Sequence, residues 1–204
     1  MPSRNIVKTY LPDSYYHAYN RGVNKRVIFK DSKDYSVFLN LMKRHLSEKP
    51  VVDKKGRDYS WLAPDIDLLA YCLMPNHFHL FLYQRNPDAL PKLLKLISMS
   101  YTTYFNKRYG RVGPLFQNTY KATRINDDAY LLHISRYIHL NPKNYKTWKF
   151  SSWPYYTSNQ KAEWLKPSAI LELFDNVAEY KKFVADYVSY KETLDGIKHQ
   201  LADY

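Results

Sequence analysis

The 204-residue sequence predicts an α+β domain of the split βαβ kind, with a four-stranded antiparallel sheet, two helices on one face and a C-terminal loop and helical extension. Three observations predict it. Segments with β-favouring residues alternate with amphipathic ones in the order strand, helix, strand, strand, helix, strand, helix. The character of the chain changes after Pro142, where PKNYKTWKFSSWPYYTSNQ reads as an aromatic loop. The length suits one well-buried core with an appendage rather than two ordinary domains. The expected division is 1–142 for the sheet domain and 143–204 for the extension.

The first strand is SYYHAYNRGV at 14–23, rich in aromatic residues and ending at the Asn20–Arg21–Gly22 turn. In DSKDYSVFLNLMKRHL, Asp31 and Ser32 are capping residues, and Tyr35, Phe38, Leu39, Met42 and Leu46 recur at helical spacing. A polar stretch, EKPVVDKKGRD, leads to IDLLAYCL at 66–73, a short apolar strand stopped by Pro75. HFHLFLY is its hairpin partner. The second helix covers 88–109, with Leu93, Leu96, Ile97, Tyr101, Tyr104 and Phe105 along one side and Pro91 tolerated in the first turn. FQNTYKATRI at 116–125 reads as the fourth strand, and NDDAYLLHISRYIHLNP as a capped third helix stopped before Pro142. Two further helical patterns follow at 167–175 and 176–194.

Lys and Arg number 31 against 19 Asp and Glu, a net charge of +12. Residues 143–204 hold nine Lys and eight acidic residues, so +11 of that charge lies in the sheet domain. Such a surface attracts a polyanion by Coulomb forces and counterion release, which makes nucleic acid the expected partner. The 21 tyrosines offer stacking faces and phenolic nucleophiles, although most are expected to pack. Cys72 is the single cysteine, which excludes an internal disulfide and a cysteine-rich zinc cage. With no secretory apolar segment and no stretch of membrane-spanning length, the expectation is a soluble, cytoplasmic protein without membrane attachment.

Two constellations could carry chemistry. In MPNHFHLFL, strand alternation points His77 and His79 to one side, with Cα atoms roughly 6.5 to 7 Å apart, and turns Phe78 to the other. Two such imidazoles can share a metal ion. In the third helix His133, Tyr137 and Asn141 follow at i, i+4 and i+8, which sets a phenol one turn from an amide oxygen and one turn from a histidine. Taken singly, each pattern also fits packed or solvated side chains; zinc-deaminase chemistry is a poor fit because His79 stands where a general-base glutamate is required.

Together, HFH at 77–79 and RYIHLNP at 136–142 resemble the paired motifs of the single-tyrosine HUH transposases of the insertion-sequence 200/605 type. The resemblance is nearest to the branch associated with repetitive extragenic palindromes (REP), given NRG at 20–22 and GPLFQ at 113–117. It implies a ferredoxin-like, RRM-like fold and metal-dependent cleavage and rejoining of single-stranded or hairpin DNA through a covalent 5′-phosphotyrosine. Residue by residue, it implies His77, His79 and Asn141 as ligands of Mg²⁺ or Mn²⁺ and Tyr137 as the nucleophile. His133 is a candidate for orienting Tyr137 or the metal. Residues 88–125 carry seven Lys or Arg against one Asp, interleaved with Tyr101, Tyr104, Tyr109 and Tyr120. Arg21, Arg108, Arg111, Lys121 and Arg124 are the DNA-contact candidates. A homodimer and a monomer both stay open at this point. So do two other readings: a non-catalytic RRM-like nucleic-acid binder using Phe78 and the tyrosines, and a metal-dependent hydrolase acting through water.

Overall fold

The computed structural model describes residues 10–126 and 128–187. Its elements follow the predicted order: β1 (Ser14–Arg21), α1 (Ser32–Leu46), β2 (Ile66–Met74), β3 (His77–Gln84), α2 (Ala89–Arg108), β4 (Lys121–Ile125) and α3 (Asp128–Leu140). The sheet runs β2-β3-β1-β4, with every neighbouring pair antiparallel. This is the ferredoxin-like arrangement that the sequence predicts.

Alternation along β3 divides the interior. Phe78, Leu80 and Leu82 enter one apolar layer with Phe38 and Met42 of α1 and Leu93, Tyr101 and Phe105 of α2. Phe81 enters a second layer on the opposite face, with Ile134, Tyr137 and Ile138 of α3. The α1 start is capped as its sequence implies, the Asp31 carboxylate accepting from the backbone N–H groups of Lys33 and Asp34. Residue 127, within the predicted cap of α3, lies outside the described residues.

The two short motifs flanking the sheet meet each other. The Gly22 N–H donates to Asn76 O at 2.9 Å, the Val23 N–H to Leu115 O at 2.9 Å, and the Gln117 N–H to Arg21 O at 2.9 Å. NRG is thus braced between the β2–β3 turn and GPLFQ. A Cβ on Gly22 would lie 2.3 Å from Arg26 O and 2.7 Å from Ile28 Cγ2, so close approach dictates glycine here. This pairing also explains a difference from expectation. The predicted fourth strand begins only at Lys121, because Phe116 bridges Gly22 beyond the end of β1 and the chain must turn before joining the ladder.

The extension forms α4 (Trp153–Thr157), α5 (Ser168–Leu171) and α6 (Val177–Ala185). The predicted helices at 167–175 and 176–194 correspond to α5 and α6, with 188–194 outside the described residues. The extension completes both layers: Trp164 and Leu165 join the α1–α2 side, and Trp153, Tyr156 and Tyr180 the α3 side. It also satisfies the outer edge of β2. The Leu73 N–H donates to Phe150 O and the Ser152 N–H to Tyr71 O, both at 2.9 Å. His139 of α3 ties these parts together, with Nδ1 2.7 Å from Tyr180 Oη and Nε2 2.7 Å from Ser152 Oγ. The extension therefore holds α3, and with it Tyr137, against the sheet. No helix among the described residues is long and apolar enough to cross a membrane.

Candidate active site

Register places the first group of polar residues. Antiparallel pairing of β1 with β3 sets Arg21 opposite His77 and Tyr19 opposite His79, so all four side chains leave the sheet on the α3 face. The His77 and His79 rings lie 5.0 Å apart and nearly perpendicular. Above them runs α3. Asn141, just past its C-terminal end, brings Oδ1 to 3.1 Å from His77 Nε2, and the last turn of the helix sets the Tyr137 ring 5.4 Å from that of His79.

Sequence reasoning missed three residues here. Asn76 places Oδ1 2.6 Å from His77 Nδ1. His17 places Nε2 2.9 Å from His79 Nδ1 and its ring 5.8 Å from that of Tyr137. Tyr19 stacks on both His17 and His79. Only the β1–β3 register reveals the last two; strand alternation alone puts His17 and Tyr19 on one face without saying that the face is that of His79.

Burial sets the charge state. It pulls His77 down to about 4, helped by the nearby Arg21 cation and opposed by the contact with Asn141. Burial also holds His79 well below its ordinary range, reinforced by His77, His17 and Arg21. Both imidazoles are neutral at pH 7, the state that binds metals. Burial pushes the Tyr137 phenol up to about 12, with Tyr19 adding to the effect and Arg21 opposing it.

The donor set fits a divalent cation. A neutral imidazole has a single N–H. His77 nevertheless has an amide oxygen against each nitrogen, Asn76 Oδ1 and Asn141 Oδ1. Its low pKa disfavours a second proton. Donation from Nδ1 to Asn76 leaves the Nε2 lone pair facing the Asn141 oxygen, an arrangement that a cation between them relieves. Donor atoms on an octahedral ion at roughly 2.1 Å lie about 3.0 Å apart, close to the separation here. No cluster of three His, Cys, Asp or Glu side chains among the described residues has the arrangement of a metal site. The third donor of this set is an amide.

The other sequence candidates are distributed unevenly. His133 lies on the α6 side of α3, where Arg136 donates to its Nδ1 and its ring neighbours Phe183 and Tyr187. Arg108 pairs with the Asp31 and Asp34 carboxylates, and Tyr104 and Tyr109 also donate to buried Asp34. Tyr101 is wholly buried, and Tyr120 is nearly so. Tyr101 and Tyr120 are therefore parts of the fold, and Tyr104 and Tyr109 are half-buried and tied to it through Asp34. Arg111 donates to Asn106 on its own side of the molecule. Arg21, Lys121 and Arg124 lie on β1 and β4, with Lys121 over the Tyr19 ring and Arg124 donating to Asn126.

Residues 60–141 match the family model described as "Transposase IS200 like". No curated protein matches the chain. Among solved structures, a REP-associated tyrosine transposase bound to a REP hairpin is similar at 15% identity and a TM-score of 0.54, covering 72% of this chain and 81% of that one. A candidate transposase from Deinococcus radiodurans R1 aligns at 14% identity and a TM-score of 0.39, covering 68% of this chain and 95% of that one. The first likeness shows a shared fold.

Proposed function

We propose that this chain, a member of the IS200-like transposase family, cleaves and rejoins single-stranded, hairpin-bearing DNA through a covalent 5′-phosphotyrosine on Tyr137. The observation that carries this reading is the convergence of His77 Nε2, Asn141 Oδ1 and the Tyr137 ring from segments 64 residues apart in the chain. His77, His79 and Asn141 would hold Mg²⁺ or Mn²⁺, hard enough for an amide oxygen and tolerant of imidazole. When bound, such a cation supplies charge neutralisation at a scissile phosphate and favours a phenolate nearby.

The chain's own residues then do the following. Burial keeps the Tyr137 phenol protonated at neutral pH, so it is inert until substrate and cation are in place. Tyr137 Oη attacks phosphorus, the bond from phosphorus to the 3′ oxygen breaks, and the phenolic proton passes on balance to that oxygen. The bond energy stays in the phosphotyrosine, and attack by a 3′-hydroxyl reverses the step. Arg21, opposite His77 in the ladder, would meet a phosphate beside the scissile one, and Lys121, opposite Tyr19, adds a second cation on the same face, whereas Arg124, opposite Tyr16, leaves β4 on the other face. The DNA hairpin bound by the similar solved transposase supports this choice of partner. Because His77, His79 and Tyr137 meet within one chain, the reading needs no second copy to complete the site.

A passive RRM-like role has less support. Such binding requires an open sheet face, whereas α1 and α2 cover Phe78 completely and α3 with the extension covers the other side. The test is the double variant His77→Ala/His79→Ala, assayed with 5′-labelled hairpin DNA and Mn²⁺. Loss of cleavage with hairpin binding retained supports the reading. Cleavage at the wild-type rate contradicts it.

A further inference from the structure

We propose that His17 is a positioning residue for His79. It accepts the Nδ1 proton of His79 and so leaves Nε2 of that ring bare for the cation. The inference rests on the reading of His77 and His79 as ligands, and extends it to a residue outside both sequence motifs.

His17 is 1% exposed, and its Nε2 lies 2.9 Å from His79 Nδ1 with the rings stacked 5.1 Å apart at 17°. One proton lies between these two nitrogens. If it belongs to His79, the Nε2 of His79 carries none and can bind a metal. If it belongs to His17, His79 must carry its own proton on Nε2 and that lone pair is lost. Tyr19 stacks on both rings, at 5.2 Å and 5.7 Å, and the edge of Tyr137 meets both, so neither ring is free to turn away from this choice.

A second observation says that His17 is not there for the fold. In the arrangement that frees His79, the remaining proton of His17 sits on Nδ1. That atom is buried, with no hydrogen-bond partner. An unsatisfied buried donor opposes folding, and an apolar side chain of similar size would not carry that penalty. Among the described residues, the one hydrogen bond that the His17 ring makes is to His79, so its polar chemistry acts on that neighbour.

The test is a Mn²⁺ titration by calorimetry on the full chain without DNA, with thermal unfolding and metal-free hairpin binding measured on the same samples. His17→Leu removes the unpartnered Nδ1 of His17 but leaves Nδ1 of His79 without its acceptor, so it is expected to unfold near the wild-type temperature and to bind the hairpin within twofold. Its Mn²⁺ affinity should fall ten- to a hundredfold, the usual effect of removing such a partner. His17→Gln, whose amide oxygen can accept the same proton, should recover most of that affinity. Wild-type Mn²⁺ affinity in folded His17→Leu overturns the proposal. So do parallel losses of stability and Mn²⁺ affinity in both variants, or failure of both to fold, since each makes the role structural. If the wild type binds Mn²⁺ no better than His77→Ala/His79→Ala, the metal reading itself falls, and that result is distinct from the others.

Discussion

His77 Nε2 faces Asn141 Oδ1 at 3.1 Å across 64 residues of sequence, joining the start of β3 to the end of α3. If that contact is two thirds of a metal site, Asn141→Ala should weaken Mn²⁺ binding at least tenfold. Metal-free hairpin affinity should stay within twofold. Asn141→Asp, which keeps an oxygen and adds charge, should bind Mn²⁺ at least as well as the wild type.

Two arginines from one list of DNA-contact candidates should behave differently. Arg21 stands beside the site, so Arg21→Ala should reduce hairpin affinity and lower the slope of log affinity against log salt by about 1. Arg108 is held by Asp31 and Asp34, and the latter is wholly buried. Arg108→Ala should leave the salt slope unchanged and lower stability, because the Asp34 carboxylate loses its cation and keeps only the Lys30 N–H and the Tyr104 and Tyr109 hydroxyls as donors. Salt-dependent binding and urea unfolding of the two variants check both statements.

Gly22→Ala should destabilise the protein by at least about 2 kcal/mol, since the added carbon meets a carbonyl oxygen at 2.3 Å that belongs to backbone. Hairpin cleavage should fall as well, because the displaced turn carries Arg21. Equal stability and activity in the variant would mean that the 22–28 segment relaxes without consequence.

Acid should unfold the protein early. Burial pulls His139 down to about 3, against about 6.5 in the unfolded chain. Between those values the unfolded state binds the extra proton, so stability rises with pH through this window and is complete above it. Falling pH should cost about 1.4 kcal/mol per unit for this residue, starting near pH 6.5. Urea unfolding from pH 7.5 to 5 should show the slope, and His139→Gln should reduce it by about that amount.

The fold was legible because each element carries its own local signal: the capped, periodic α1, the apolar β2 stopped at Pro75, and the alternation of β3. So was the pairing of His77 and His79 on one face, which strand geometry alone dictates. His17 was not legible, since β1 and β3 are joined through α1 and β2 and no hairpin turn fixes their register. The internal ties of the basic, tyrosine-rich stretch of α2 were hidden for a different reason. Charge and aromatic content do not show that Asp34, some seventy residues earlier, collects Arg108, Tyr104 and Tyr109 into the fold.

In the proposed reaction Tyr137 becomes covalently joined to DNA. The most direct measurement incubates purified protein with a panel of labelled single-stranded hairpins and Mn²⁺, then denatures it and maps any adduct by mass spectrometry. The expected result is a 5′-phosphate linked to Tyr137, a free 3′-hydroxyl on the released strand, and no adduct with folded Tyr137→Phe. An adduct that survives Tyr137→Phe, or strand cleavage by the wild type that leaves no protein-linked DNA, would contradict it.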